Sequence, residues 1–203
     1  MKIICIGRNY ADHIRELANE KPDEPVLFLK PESALVLNNS DVKHPSFTSD
    51  LHHELEIVLR ICREGSKIAS ENADAYFDAF ALGIDFTARD LQAKLKAKSL
   101  PWEIAKAFDQ SAPVSAFIPK SELNLKDGIA FTLKVNGQTR QQGNTQLMLF
   151  PFAEIIEAAS RFFRLMPGDL IFTGTPAGVA AINPGDCLEA WMEGRKLLDF
   201  KVL

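Results

Sequence analysis

His52-His53-Glu54-Leu55-Glu56-Ile57-Val58-Leu59 alternates as an extended chain does. Leu55, Ile57 and Leu59 project to one side and Glu54 and Glu56 to the other, the period-two pattern of a half-buried strand. Two carboxylates two residues apart on one strand face repel each other. A fold tolerates them at low cost only where solvent or a cation neutralises them. Further on, Asp85 sits inside the apolar run Ala79-Phe80-Ala81-Leu82-Gly83-Ile84-Asp85-Phe86, where a lone acid is expensive to bury without a partner. Three carboxylates with no nearby Cys-His set describe an all-oxygen site, which suits Mg²⁺ or Mn²⁺ better than Zn²⁺. The same residues also read as a solvent-facing glutamate pair on an edge strand and an unrelated aspartate at a strand end. Spacing alone leaves both readings open.

Composition narrows the class. A chain of 203 residues is enough for one substantial core and marginal for two, so a single domain over 1–203 is expected. Hydrophobic residues make up 46% and charged residues 25%, an ordinary globular balance. A formal net charge of −4 argues against a nucleic-acid surface. No apolar run reaches the length of a membrane span, and the four apolar residues between Lys2 and Gly7 are too few for a signal-peptide core. Cys5, Cys62 and Cys187 are scattered among apolar neighbours and read as buried free thiols in a reducing cytoplasm.

Outward from the opening stretch, strands and helices are interspersed irregularly. Ile3 to Ile6 reads as a buried strand ending at Gly7, with a helix from Asn9 or Tyr10 through about Ala18. Pro25 and Pro31 bound an extended segment and keep it from being a central strand over its whole length. Residues 38–50 read as a loop or short edge strands. Ser70 is a candidate N-cap for a helix from Glu71 to about Asp78. Thr87 and Asp90 stand at capping-box spacing for a helix to about Lys98, which Leu100-Pro101-Trp102 breaks. Ile129 to Val135, Asn136-Gly137 and Gln138 to Gln142 give a hairpin with a type I′ turn. Pro151 opens a helix through about Phe163, with Ile155, Ile156, Ala159, Phe162 and Phe163 at helical spacing. The end is β again, with two Pro-Gly-Asp turns at 167–169 and 184–186. Hairpin signals without a strict strand-helix rhythm argue for an α+β fold with a β-rich core.

Other groups could carry chemistry. His13 and Glu16 are helix neighbours three apart, either a base dyad or a surface pair. Lys106 lies in Ile104-Ala105-Lys106-Ala107-Phe108, poised to neutralise an anion or simply lying along apolar surface with its head in water. Thr173-Gly174-Thr175-Pro176-Ala177-Gly178-Val179 can offer backbone N–H groups and a hydroxyl to an anion, or form a plain turn. His52 and His53 point to opposite sides of a strand, so at most one faces a site. Trp102 and Trp191 read as packing residues. No Gly-x-Ser-x-Gly elbow is present.

Seven motifs stand in one order: Gly7-Arg8-Asn9-Tyr10-Ala11-Asp12-His13, Pro25-Val26-Leu27-Phe28-Leu29-Lys30-Pro31, His53-Glu54-Leu55-Glu56, Asp85-Phe86-Thr87-Ala88-Arg89-Asp90, Lys106-Ala107-Phe108-Asp109, Val135-Asn136-Gly137 and Thr173-Gly174-Thr175-Pro176. In that register the chain resembles the fumarylacetoacetate hydrolase superfamily from Cys5 to about Val202. Within it, the short acylpyruvase and oxaloacetate decarboxylase branch is the nearest in look. The resemblance implies a β-rich roll of mixed sheets with flanking short helices. It implies that Glu54, Glu56 and Asp85 hold Mg²⁺ or Mn²⁺, and that His13 and Glu16 are a base dyad on a segment closing over the site. It further implies that Lys106 lies near the metal and that Arg8, Gln92 and Thr175 line the pocket.

The implied activity is cleavage of a C–C bond of a small 2-oxo acid through a metal-stabilised pyruvate enolate, by acylpyruvate hydrolysis or oxaloacetate decarboxylation. The alternatives are an isomerase or hydratase of a 2-hydroxymuconate or 2-hydroxyhepta-2,4-diene-1,7-dioate type of acid, and a non-catalytic β-roll that binds a metal or an acid. A cytoplasmic homodimer is expected, with neither nucleic acid nor membrane as a partner. Ala112, Ala180 and Ala181 depart from the residues common in relatives, and the larger hydrolases' N-terminal domain is not seen. These departures bear on substrate choice rather than on metal binding.

Overall fold

The computed structural model describes residues 1–17 and 20–203. Its largest sheet has six strands, in the order Val26–Lys30, Ile3–Gly7, Leu170–Phe172, Leu55–Ile61, Phe77–Ile84 and Ile118–Pro119. Ile3–Gly7 runs parallel to Leu170–Phe172, and the other neighbours are antiparallel. A second, wholly antiparallel sheet orders Gln138–Asn144, Ala130–Val135, Cys187–Met192 and Arg195–Lys201. Short ladders join Ala180–Ala181, Leu51–His53 and Thr87–Ala88, and Leu35–Val36 to Ala112–Pro113. Among the described residues four short α-helices flank these sheets: α1 (Ala11–Glu16), α2 (Arg89–Ala97), α3 (Glu103–Lys106) and α4 (Phe152–Phe162). The result is the α+β arrangement of mixed sheets expected from the sequence. Among the described residues no helix is long and apolar enough to cross a membrane.

Alternation explains how the core forms around Leu55–Ile61. Leu55, Ile57 and Leu59 enter the main apolar cluster, between the two larger sheets. Val58 packs on the opposite face with Ile3, Cys5, Ala81 and Phe172. The strand is therefore buried on both faces and is central rather than at an edge. Glu54 and Glu56 share the Val58 face by the pleat alone. The Val26–Lys30 segment does lie at the sheet edge, as its flanking prolines require. Asn136 and Gly137 both take positive φ (51° and 75°), the backbone of a type I′ turn.

Several local expectations are corrected. The helix expected from Glu71 to Asp78 is a 3₁₀ segment, Ser70–Tyr76. Ser70 caps nothing, and Phe77 and Asp78 already belong to the next strand. Thr87 is paired in a short ladder opposite His52 rather than capping α2. Its hydroxyl donates to the Asp85 carbonyl at 3.3 Å, and Asp90 accepts from Thr48 Oγ1 instead. The expected end of α1 near Ala18 lies outside the described residues. On α4, Ile155, Ile156 and Ala159 are buried, but Phe162 is 71% exposed. Cys5 is buried, whereas Cys62 is exposed and Cys187 half-buried.

Gly83 shows how tightly this face is packed. It stands opposite Glu56 in the ladder. A Cβ there would lie 2.5 Å from the Phe172 ring and 2.7 Å from Val58. Gly83→Ala is expected to cost about 1–3 kcal/mol through overpacking. The check is a lower urea midpoint with an unchanged slope.

Candidate active site

Antiparallel pairing brings the three acids together. Leu55 pairs with Ile84, so Glu54 and Asp85 face one another one step beyond, where Asp85 N donates to the Glu54 carbonyl at 2.8 Å. Glu56 lies two residues along on the same face. One carboxylate oxygen from each of Glu54, Glu56 and Asp85 falls within 4.8 Å of the others. All three side chains are buried. The reading as a solvent-facing pair is excluded by this burial.

Cations surround them. Lys106 Nζ donates to Glu54 Oε2 at 2.8 Å, Asp85 Oδ2 at 2.6 Å and Thr87 Oγ1 at 2.6 Å. Arg89 pairs with the other oxygen of Glu54 and donates to Gln92 Oε1 at 2.7 Å. Lys30, only 1% exposed, reaches from the edge strand to within 2.8 Å of Asp85 Oδ1. Its hydrogens are directed instead to the Ser111 hydroxyl and to the Lys106, Ser111 and Phe86 carbonyls. Asp85 Oδ1 therefore has a charge beside it but no aligned donor. Lys30 and Arg89 contact the candidate site, and the sequence reading gave them no role. A lysine closing the apolar strand Val26-Leu27-Phe28-Leu29 was the available signal.

The electrostatics split the acids. Burial alone would raise the Glu54 carboxyl, but Lys106 and Arg89 overcome it and hold it well below the usual range. Among the described residues no cation is in contact with Glu56. Burial, then the charges of Asp85 and Glu54, push it well above the usual range. Burial works against the Lys106 ammonium, but Asp85 and Glu54 outweigh it and keep it charged beyond its ordinary range.

The Gly-Thr-Pro turn does present N–H groups to anions, and those anions belong to the protein. Gly174 N donates to Glu56 Oε2 at 2.7 Å, and Gly178 N to Glu16 Oε1 at 3.0 Å. Gly178 takes φ 99°, and a Cβ there would meet the Arg140 carbonyl at 2.1 Å. Glu16, thus anchored, lies 3.2 Å from His13 Nδ1. The Thr175 hydroxyl is already committed, donating to the Leu55 carbonyl at 2.8 Å and accepting from Gln141 at 2.7 Å. Gln141 also accepts from Leu55 N at 2.9 Å, so a buried glutamine of the second sheet clamps the start of the acidic strand. It went unnoticed in the sequence because the return strand around it is polar. His52 and His53 bond to Asp50 and Gln141 and do not line the cleft.

One cleft gathers the candidates. Arg8, His13, Glu54, Glu56, Asp85, Arg89, Gln92, Lys96, Lys106 and Thr175 line it, with Trp102 and Phe28 as its apolar wall. Glu16 stands behind His13. Trp102, expected only to pack, is thus part of the pocket.

Comparison with known proteins fits this arrangement. Residues 2–202 match the fumarylacetoacetate (FAA) hydrolase C-terminal family. The chain belongs to the fumarylacetoacetate hydrolase family. It is 44% identical over 200 residues to the mitochondrial oxaloacetate tautomerase FAHD1 of Bos taurus, covering 98% of this chain and 90% of that protein. It is 41% identical over 194 residues to the mitochondrial oxaloacetate decarboxylase of Dictyostelium discoideum, covering 95% and 89%. The crystal structure of fumarylpyruvate hydrolase from Pseudomonas aeruginosa, in complex with Mn²⁺ and pyruvate, superposes with a TM-score of 0.94. It shows 37% identity over 100% of this chain and 89% of that one. In this member of the family, the buried Lys30–Asp85 contact makes a direct prediction. Lys30→Met leaves Asp85 short of a countercharge and should cost about 3–5 kcal/mol at pH 7. Urea unfolding at pH 7 checks it.

Proposed function

We propose that this chain is a divalent-metal-dependent enzyme that cleaves a C–C bond of a small 2-oxo acid, oxaloacetate or an acylpyruvate, by way of an enolate. The observation that carries the reading is the convergence of Glu54, Glu56 and Asp85 in the cleft that also holds His13 and Lys106. The residues fit a hard divalent cation: the donor set is anionic oxygen, and Asp85 Oδ1 is a buried acceptor with no aligned donor. Glu54, Glu56 and Asp85 would hold the ion, and both Mg²⁺ and Mn²⁺ suit them. When bound, it supplies positive charge to the carboxylate and 2-oxo oxygens of the substrate and so favours the enolate.

The remaining work falls to side chains. Lys106 keeps a second positive charge beside the developing enolate oxygen, where exclusion of water makes it effective. Arg89 and Gln92, bonded to each other, orient the substrate carboxylate, and Thr175 closes the wall. For an acylpyruvate, His13 takes a proton from the water that attacks the distal carbonyl, while Glu16, fixed by Gly178 N, sets the imidazole tautomer. For oxaloacetate, CO₂ departs and the enolate is protonated at C3. Keto–enol tautomerisation of oxaloacetate is a second reading, supported by the 44% identity to a tautomerase. It uses the same dyad to move a proton and breaks no C–C bond.

Protein treated with EDTA and desalted should be inactive and recover with Mg²⁺ or Mn²⁺; full activity after stripping contradicts the proposal. NMR of the products separates the readings, since cleavage yields pyruvate and tautomerisation conserves mass. His13→Ala should keep the metal but lose acylpyruvate hydrolysis by about 10²–10⁴-fold, whereas Glu56→Ala should lose both. Metal affinity should weaken as pH falls, because a proton on the raised Glu56 carboxyl competes with the ion. Calorimetry at pH 8 and pH 6 checks the direction.

A further inference from the structure

Arg89 Nε and His52 Nδ1 are both buried, and neither has a hydrogen-bond partner among the described residues. A buried donor or acceptor left unpaired is costly, and native folds keep few of them. Backbone pairing brings these two near each other. His52 stands opposite Thr87 in the ladder of Leu51–His53 with Thr87–Ala88, and Arg89 N donates to the Asp50 carbonyl at 2.8 Å. His52 and Arg89 are therefore diagonal neighbours, two residues off register, and the pleat carries both to one face. Long side chains reach across that spacing. The Arg89 charge is felt at the imidazole: burial first, then Arg89, hold His52 below its usual range. The chemistry of the two atoms is complementary. An arginine Nε carries a hydrogen and only donates. His52 Nε2 lies 2.9 Å from Asp50 Oδ1. An ionised carboxylate only accepts, so Nε2 carries the ring hydrogen and Nδ1 of the neutral ring is a bare acceptor. Asp50 is itself anchored, its N–H donating to Thr48 Oγ1 at 3.1 Å while that hydroxyl donates to Asp90, the neighbour of Arg89. The terminal nitrogens of Arg89 are spent on Glu54 and on Gln92. Nε is the one left.

We propose that His52, its tautomer fixed by Asp50, is a positioning residue whose Nδ1 accepts from Arg89 Nε–H, directly or through one water. The bond holds the guanidinium toward Glu54 and Gln92. His52 acts from outside the cleft and touches no substrate. Its consequence for ligand binding rests on the reading above that Arg89 orients the substrate carboxylate, and it names the group that orients Arg89. Glu54 and Gln92 hold the tips of the guanidinium fork through flexible side chains. A bond at Nε, from a ring carried on a paired strand, fixes the plane of the fork as well.

The test is NMR of the protein labelled with ¹⁵N-arginine, in which Arg89→Lys identifies the Arg89 Nε–H signal by its loss. Two variants divide the imidazole between them. Asparagine puts its side-chain oxygen where Nδ1 stood, and glutamine puts its amide where Nε2 stood. In wild type the Arg89 Nε–H should exchange slowly with solvent. His52→Asn should keep that protection. His52→Gln should speed exchange about tenfold, the scale of one hydrogen bond, although glutamine still reaches Asp50. Calorimetry with oxalate and Mn²⁺ reads the consequence: His52→Gln should bind oxalate several-fold more weakly, and His52→Asn as tightly as wild type. A role for His52 in packing alone would not favour asparagine over glutamine. Fast exchange of Arg89 Nε–H in wild type, exchange unchanged in His52→Gln, or protection lost equally in both variants overturns the inference. Protection that follows the expected order, with oxalate binding equal in all three proteins, supports the hold on Arg89 and overturns the reading that Arg89 orients a substrate carboxylate.

Discussion

Glu54, Glu56 and Asp85 are each no more than 5% exposed, and an isolated ionised carboxylate moved into such surroundings would cost more than the stability of a whole domain. The polar architecture around them follows from that constraint. Lys106 spans two of the acids, Arg89 takes the free side of Glu54, and Lys30 comes from the sheet edge to stand beside Asp85. Among the described residues Glu56 receives only a backbone N–H, from Gly174. It is the acid the protein leaves uncompensated, and its carboxyl is the one pushed up. An asymmetry of this kind is poor design for stability alone, since a buried group without its countercharge is a liability. It is sound design for a site that receives its missing positive charge from outside.

The same constraint explains what the sequence revealed. The alternation at 54–59 placed both glutamates on one strand face, and the lone acid at the end of the 79–86 apolar run marked its neighbour. Local pattern was enough because the antiparallel ladder does the rest, setting Glu54 opposite Asp85. Asn136-Gly137 likewise fixed its hairpin locally. Residues whose meaning comes from distant partners stayed hidden. Lys30 finds Asp85 across 55 positions of sequence, and Gln141 clamps Leu55 across 86. Thr87 and Ser70 looked like helix caps by spacing. Tertiary pairing claimed Thr87 for a ladder and for Lys106, and the strand beginning at Phe77 kept the 70–76 turn short. The family resemblance removed the ambiguity that spacing left, and the burial of all three acids agrees with it.

The cleft divides into ends with different work. Around the acids, charge is paired and geometry closed. On α1, His13 and Glu16 are tied to the Gly178 turn, so His13 moves only if that turn or the helix does. Arg8 and Lys96, also in the cleft lining, have no acid partner among the described residues. Oxaloacetate tautomerisation, oxaloacetate decarboxylation and acylpyruvate hydrolysis all pass through an enolate of a 2-oxo acid. An apparatus that stabilises that charge serves any of them. What differs is whether a proton, CO₂ or an acyl group is exchanged at C3, and the groups facing the substrate's tail decide that.

The most direct test of the central claim is a crystal of the protein soaked in Mn²⁺ and measured for anomalous scattering. The account predicts one strong peak, bound by carboxylate oxygens of Glu54, Glu56 and Asp85 at about 2.0–2.4 Å, with the Lys106 ammonium displaced from at least one of its two carboxylates. A map with no peak at these three residues, while Lys106 keeps both its carboxylate contacts, would contradict it.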